Sequence, residues 1–155
     1  MKNNRLEYLI KAALIGAIYF IITIIFAPIS YGPIQIRISE ALTVLPFLTH
    51  AAVPGLFIGC ILANIYGGYG IHDIIFGSLA TLIAAYLTYK TPSKILAPVP
   101  PIIINGLIIG SMLHFLLQVP LIATILYVSL GELIACYFLG YPLLLLLERR
   151  FKDLF

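Results

Sequence analysis

The sequence predicts an all-α integral membrane protein, with one transmembrane domain over residues 1–155 that contains six apolar helices. Hydrophobic residues make up 62% of the chain and charged residues only 10%, and the mean hydropathy is +1.11. Soluble domains typically contain about 25% charged residues, so this chain has too few of them to cover a soluble surface. The bilayer is therefore expected to solvate most of its apolar surface.

The first apolar run, over about residues 11–27, predicts span one, which ends at Pro28. The stretch 28–37 that follows contains two prolines and a glycine, so it is too broken for a helix. It is also too apolar for an ordinary surface loop. Span two, over about residues 39–49, is short, and Ser39 is a suitable N-cap for it.

The remaining spans are predicted over about residues 53–66, 73–89, 102–117 and 120–147. Asp73 is suited to the start of span four because carboxylates favour the positive end of a helix dipole. Pro142 predicts a kink near the end of span six. Spans two and three are too short for an upright crossing, so each is expected to be tilted, partial or buried in protein, and a five-span chain remains an alternative.

The nine basic residues are divided unevenly between the two sides of a six-span chain. Eight lie on the side that holds both termini and the loop 90–101, and they are Lys2, Arg5, Lys11, Lys90, Lys94, Arg149, Arg150 and Lys152. Only Arg37 lies on the other side. The positive-inside rule therefore predicts a multi-pass protein of the cell membrane, in contact with lipid, with both termini in the cytoplasm. We interpret the basic residues as determinants of membrane topology, and we expect no nucleic acid partner.

The sequence contains no motif that indicates ATP hydrolysis, catalysis or metal binding by this chain. It has no G-x-x-x-x-G-K-[ST] loop, no HExxH or GxSxG motif and no paired metal-ligand spacing. Cys60 and Cys136 lie in apolar runs without CxxC spacing, which is typical of packing residues. We expect no catalytic residue, no metal and no cofactor, so the energy for any transport must come from another protein or from a gradient.

Ionisable and amide residues in or beside the spans predict a binding site, because such groups are costly in hydrocarbon and usually line a cavity or pair together. Arg37 and Glu40 lie at the outer entrance of span two, and Asn64 and Asp73 lie near the outer ends of spans three and four. Glu132 lies deeper, inside span six, and Asn105 lies nearer the cytoplasmic half. Most of these groups fall in the outer half of the membrane, which predicts a solute pocket that opens outward.

Structural roles remain open for several of these residues. Arg37 and Glu40 are three residues apart and could form a salt bridge with each other. Asp73 could act only as a helix cap, and Asn64 could only bridge two helices by hydrogen bonding. Glu132 has no partner nearby in the sequence, which favours a functional role.

Small residues at four-residue spacing occur in three spans, and such spacing lets helices approach closely. The pairs are Ala12 and Gly16, Ala13 and Ala17, Gly55 and Gly59, and Gly106 and Gly110. Two uses remain open. The pairs can pack against each other within this bundle, or they can dock on a separate membrane subunit, for which span one is the first candidate.

Three motifs in this order resemble the QueT family. They are APISYGPIQIRISEALT at 27–43, PGLFIGCILAN at 54–64 and DIIFGSLATL at 73–82. The motif-rich part covers roughly residues 10–90, and Gly131 with Glu132 in span six also fits the family. QueT proteins are the substrate-binding S components of energy-coupling factor (ECF) transporters, and they are associated with the uptake of queuosine precursors, which are 7-deazaguanine bases.

This resemblance implies a six-helix S-component fold that works with a transmembrane coupling protein and two ATPase subunits. In S components generally the loop after span one helps to close the pocket, which implies a lid formed by the stretch 28–37. The small residues of span one would then dock on the coupling protein, and they are Ala12, Ala13, Gly16 and Ala17.

The edge of a deazaguanine offers a ring N–H and an exocyclic amine as donors, beside a carbonyl acceptor. The candidates to accept from the two donors are Glu40, Asp73 and Glu132. The candidates for the carbonyl are Asn64, Gln35 and Arg37, and those for stacking on the ring are Tyr31 and Tyr69. A precursor that bears an amine would favour an additional acidic residue in the pocket.

Two other functions remain as alternatives. The first is a solitary membrane carrier for another small nucleobase-like or vitamin-like solute. The second is an intramembrane enzyme with Glu132 or Asp73 as acid or base, for which the sequence shows no nucleophile, metal set or closely spaced catalytic pair.

Overall fold

The computed structural model describes residues 2–31, 36–67 and 70–150. Its helices are α1 (Lys2–Ile25), α2 (Ile38–Phe47), α3 (Ala52–Gly67), α4 (Asp73–Tyr89), α5 (Val99–Leu117) and α6 (Leu121–Arg150). The described residues contain no strand. The predicted all-α class is therefore confirmed, and each of the helices α1 to α6 overlaps one of the predicted apolar segments.

Three of the helices, α1, α5 and α6, are long and apolar enough to cross a membrane. The other three are shorter, with between 10 and 17 residues each. Large apolar side chains such as those of Leu14, Ile21 and Ile122 are exposed, whereas Asp73 and Glu132 are buried. Polar groups inside and apolar groups outside are the arrangement of a protein whose solvent is lipid, so the chain is a membrane protein.

The short helix α2 is a 3₁₀ helix of 10 residues, nearly all of them buried. At about 2 Å per residue it is only roughly 20 Å long, so it does not match the thickness of the bilayer core. Protein surrounds its backbone instead, as expected for such a segment at membrane depth. The prediction that Ser39 caps this helix is wrong. Ser39 lies inside α2, and its hydroxyl accepts a hydrogen bond of 2.7 Å from Thr23 on α1.

The stretch 28–37 was expected to contain no helix, and this is wrong for its first residues. Ala27–Ser30 forms a single helical turn with Pro28 in its first positions. Proline is tolerated there because the first N–H groups of a helix have no partner within the helix. Residues 32–35 lie outside the described residues.

Two helices contain a π-helical segment, Asp73–Gly77 at the start of α4 and Ile134–Gly140 within α6. The second segment ends two residues before Pro142. Proline lacks an N–H and its ring crowds the carbonyl four residues earlier, so it disturbs the regular helical hydrogen bonding near this segment. The kink predicted at Pro142 stays a prediction.

The small residues of α1 and α3 pack against each other. A Cβ on Gly16 would lie 2.7 Å from the Gly55 carbonyl oxygen, and a Cβ on Gly55 would lie 2.6 Å from that of Ala12. Gly106 and Gly110 on α5 approach α6 in the same way. The buried Ala12 and Gly16 are thus used within the bundle, whereas Ala13 and Ala17 are exposed on another face of α1.

Candidate binding site

Six buried polar side chains from five helices meet inside the bundle. They are Arg37 and Glu40 at the start of α2, Asn64 on α3, Asp73 on α4, Asn105 on α5 and Glu132 on α6. Burying charged and amide groups within a membrane bundle is costly, and such groups are usually retained for a function. Their contacts divide them into two adjacent halves.

The first is the ion-pair half, formed by Arg37, Asn64, Asp73 and Gly77. The Arg37 Nη2 atom lies 3.3 Å from Asp73 Oδ2. Asn64 Nδ2 donates a hydrogen bond of 3.0 Å to the backbone oxygen of Asp73. The second side-chain oxygen of Asp73 and the side-chain oxygen of Asn64 are buried without a hydrogen-bond partner. The charges of Arg37 and Asp73 therefore balance within this half, and two side-chain oxygens remain as unused hydrogen-bond acceptors.

Gly77 allows this half to assemble. A Cβ at this position would lie 2.7 Å from Asn64 Nδ2 and 3.2 Å from Asp73 Oδ1. Only a residue without a side chain lets α4 come this close to the amide of Asn64. The π-helical segment that starts at Asp73 ends at this glycine.

The second is the paired-carboxylate half, formed by Tyr19, Glu40, Asn105 and Glu132. Asn105 Nδ2 donates to Glu132 Oε1 at 3.0 Å and lies 3.5 Å from Glu40 Oε2. The Tyr19 hydroxyl donates to the other oxygen of Glu40. Within the described part of the chain, no basic side chain forms an ion pair with either glutamate. Two buried carboxylates thus share one amide and have no direct cationic partner.

The two halves line the same small cavity, whose volume is about 10 Å³. Its lining residues are Arg37, Glu40, Gly77, Thr81, Asn105, Ile109, Val128 and Glu132. This volume is roughly that needed for a single water molecule. The lining is polar where Arg37, Glu40, Asn105 and Glu132 contribute and apolar where Ile109 and Val128 contribute.

Tyr31 lies at the edge of the ion-pair half. Its hydroxyl donates a hydrogen bond of 2.5 Å to the backbone oxygen of Ala63 on α3. The guanidinium carbon of Arg37 lies 5.5 Å from the centre of its ring, within cation–π range. The ring also packs on Gly67, where a Cβ would lie 2.6 Å from it. These contacts hold both ends of the stretch between Tyr31 and Arg37 against α3 and α4.

The structure brings together five of the predicted site residues, namely Arg37, Glu40, Asn64, Asp73 and Glu132. Tyr31 lies beside them, and Gln35 and Tyr69 lie outside the described residues. Two structural alternatives are wrong. Arg37 pairs with Asp73 and not with Glu40, so the carboxylate of Asp73 is used in this pair and not as a cap. The helix-bridging role of Asn64 is present, since its amide links α3 to α4.

Two residues of the site were missed from the sequence. Asn105 was assigned to the cytoplasmic half of its span, away from the other groups, yet it contacts both glutamates. Asn105 is an amide in an otherwise apolar span, and this was the signal that could have placed it in the candidate site. Tyr19 gave no such signal, because its partner Glu40 lies 21 positions away and tyrosine is common in membrane helices.

Comparison with known proteins agrees with the resemblance drawn from the motifs. Residues 9–149 match the family model described as QueT transporter. The queuosine precursor transporter QueT of Lactococcus lactis subsp. cremoris (strain MG1363) is 34% identical over 85 residues, which cover 54% of this chain and 50% of that relative. The match thus spans about half the length of the curated relative. No solved structure matches the chain. Because the family match covers nearly the whole sequence, this chain belongs to the QueT transporter family.

Proposed function

We propose that this chain is the substrate-binding S component of an ECF transporter, and that it takes up a queuosine precursor, a 7-deazaguanine base, while partner subunits hydrolyse ATP. Family membership supports transport, and the name of the lactococcal relative supports the class of substrate. One observation carries the proposal for this chain itself. Asn105, which lines the cavity together with Arg37, has a buried side-chain oxygen without a partner. The partnerless oxygens of Asp73 and Asn64 belong to residues that lie against Arg37 or Gly77 at the edge of the same cavity.

The ion-pair half fits the edge of a deazaguanine. The free oxygens of Asp73 and Asn64 can accept from the ring N–H and the exocyclic amine, while the guanidinium of Arg37 can donate to the carbonyl. A buried acceptor without a partner costs about 1–3 kcal/mol. A ligand that supplies the missing donors recovers this cost, so the site favours such a base over an apolar molecule of equal size.

A base can enter only if the site expands, because the cavity of about 10 Å³ is far smaller than a bicyclic ring. We infer from the resemblance to S components that the stretch 28–37 opens as a lid, and the contacts at its described ends are those that would have to break. Tyr31 is bonded to Ala63, and Arg37 is paired with Asp73. Both contacts can break and re-form without unfolding a helix.

The proposed topology has six spans with both termini in the cytoplasm. Contacts at one end of the bundle support it. Tyr8 near the start of α1 is bonded to His50 at 3.0 Å, and the ring of His50 packs on Tyr89 at the end of α4, with a centroid distance of 4.9 Å. Lys94 in the loop after α4 is 2.8 Å from Glu148 near the end of α6. The regions rich in basic residues therefore lie at one end, as the positive-inside rule requires.

We propose that the face of α1 containing Ala13 and Ala17 docks on the coupling protein. Both residues are exposed, and their four-residue spacing allows a second helix to approach closely. Of the four docking residues expected from the sequence, Ala12 and Gly16 are excluded because they already pack against α3. Two ATPase subunits would complete the transporter, since this sequence has no phosphate-binding loop.

The proposal is tested by titrating the purified protein with queuine, with its biosynthetic precursors and with guanine. Binding of at least one 7-deazaguanine, and weaker binding of guanine, is the expected result. If none of these bases binds, the substrate assignment is wrong. Co-purification with a coupling protein and two ATPases is expected in addition, whereas ATP-independent uptake by the protein alone in vesicles would identify a solitary carrier.

A further inference from the structure

We propose that a groove at the end of α6 binds one anionic phospholipid, which places its phosphate on Arg149 and Arg150 and an acyl chain along the apolar residues before them. The groove has a volume of about 380 Å³, and its lining residues are Pro142, Leu145, Leu146, Arg149 and Arg150. It shares no lining residue with the cavity of the candidate binding site. The inference therefore does not depend on the solute that the protein carries.

The lining residues form one side of α6, because residues three and four positions apart are neighbours on the surface of a helix. From Pro142 to Arg150 the groove is roughly 12 Å long, at about 1.5 Å per residue. Leu146 is 53% exposed, and both arginines are exposed as well. This side of the helix is thus apolar first and cationic at its end. A phospholipid has the same order from its acyl chains to its phosphate.

The described part of the protein does not neutralise the two arginines, since neither forms an ion pair there. The acidic residue next to them in the sequence, Glu148, lies 2.8 Å from Lys94 in the loop after α4. A guanidinium can donate two parallel N–H bonds to the oxygens of a phosphate. The end of the groove is therefore complementary to a phosphate in charge and in hydrogen bonding.

The length of α6 places the groove at the depth of the lipid headgroups. With 30 residues the helix is roughly 45 Å long, about the thickness of a bilayer with its headgroups. When its first residues lie at one surface, the arginines lie in the opposite headgroup layer, and Leu146 lies about 6 Å deeper, where the acyl chains begin. In the proposed topology this is the cytoplasmic leaflet, whose anionic lipids attract basic residues. A soluble phosphate would leave the apolar half of the groove uncovered, so a lipid is the better occupant.

The test measures lipid binding to the purified full-length protein in detergent by native mass spectrometry. The probes are phosphatidylglycerol, which is anionic, and phosphatidylcholine with the same acyl chains, which has no net charge. Each arginine is expected to contribute about fivefold, so one phosphatidylglycerol should bind roughly 20-fold more tightly than phosphatidylcholine. Glycerol phosphate, which lacks the acyl chains, should not displace it at an equal concentration. Equal affinities for the two lipids, or displacement by glycerol phosphate, would overturn the proposal.

Variants assign the effect to the groove. Arg149→Gln combined with Arg150→Gln should reduce the preference for phosphatidylglycerol to less than about threefold, because it removes both charges that face the phosphate. Arg5→Gln combined with Lys90→Gln is the matched control. It removes the same charge from exposed residues at the same end of the bundle, leaves the groove intact and should keep the full preference. If the control loses the preference equally, net charge and not the groove attracts the lipid, and the proposal is wrong.

The same variants separate a lipid site from a protein interface. A groove variant that keeps the full preference for phosphatidylglycerol also contradicts the proposal. If that variant in addition no longer co-purifies with the coupling protein, the groove is a protein docking surface. The lipid preference of the parent protein and its resistance to glycerol phosphate decide the matter if a variant does not fold.

Discussion

The two halves of the site differ in how their charges are matched. In the ion-pair half, Arg37 and Asp73 neutralise each other at 3.3 Å before any ligand binds. In the paired-carboxylate half, Glu40 and Glu132 share the amide of Asn105 and have no ion pair within the described residues. The same substitution, loss of one charge, should therefore have opposite consequences for stability in the two halves. The first half is built to be stable alone, and the second to be completed by what it binds.

The largest effect is expected from Arg37→Met. It leaves the carboxylate of Asp73 buried and unpaired, which destabilises a protein by about 3–5 kcal/mol. Chemical unfolding of the protein in detergent measures this difference. The double variant Arg37→Met with Asp73→Asn removes both charges and should recover most of the loss. If the single variant is as stable as the parent protein, the ion pair does not organise this half.

The next effect is expected from Asn105→Ala. Its amide is the donor that both glutamates share, and the loss of a donor to buried carboxylates costs about 1–3 kcal/mol. Unfolding of the variant should show this loss, and binding of the base should weaken by a similar factor. Ile103→Ala on the exposed face of the same helix is the control, since it removes apolar surface without a polar partner. Equal behaviour of the two variants would mean that Asn105 only fills space.

A smaller effect is expected from Tyr31→Phe, which keeps the ring on Gly67 and removes the hydroxyl bonded to Ala63. One neutral hydrogen bond is worth about 0.5–1.5 kcal/mol, so the ligand should dissociate roughly 2–10 times faster. Stopped-flow displacement measures this rate. Tyr8→Phe, at the other end of the bundle, is the control and should leave dissociation unchanged. An unchanged rate in Tyr31→Phe would show that this contact does not hold the lid.

The sequence predicted the helices better than their ends and irregularities. Span one was expected from about residue 11, but α1 begins at Lys2. Hydropathy stops at the first charged residues, whereas a helix stops only at a breaker, and Glu7 and Lys11 stabilise this turn by an ion pair of 2.8 Å. The π segment at Asp73 left no signal, because it depends on how α4 packs against its neighbours.

The charged residues of the site could be predicted because each is costly in lipid wherever it lies. Their partners could not be predicted. Arg37 pairs with a residue 36 positions away, although Glu40 is closer in sequence. The contact of Asn105 with Glu40 could not be predicted because counting along straight spans does not allow for a buried 3₁₀ helix, which positions Glu40 beside it. Depth within a span follows from the packing of all the helices and not from one helix alone.

The smallest effect on stability is expected from Glu132→Gln, and it separates the two halves most clearly. A glutamine keeps an oxygen that can accept the hydrogen bond from Asn105, and it removes one of two neighbouring negative charges. We therefore expect its free energy of unfolding without ligand to equal that of the parent protein or to exceed it by up to about 1 kcal/mol, since removing a buried charge that lacks an ion-pair partner relieves a cost. Asp73→Asn is the matched comparison in the other half, and it should be destabilising because it leaves Arg37 without its carboxylate. If Glu132→Gln is destabilised as strongly as Asp73→Asn, the charge of Glu132 is already balanced within the protein, and both halves are then complete before the ligand arrives.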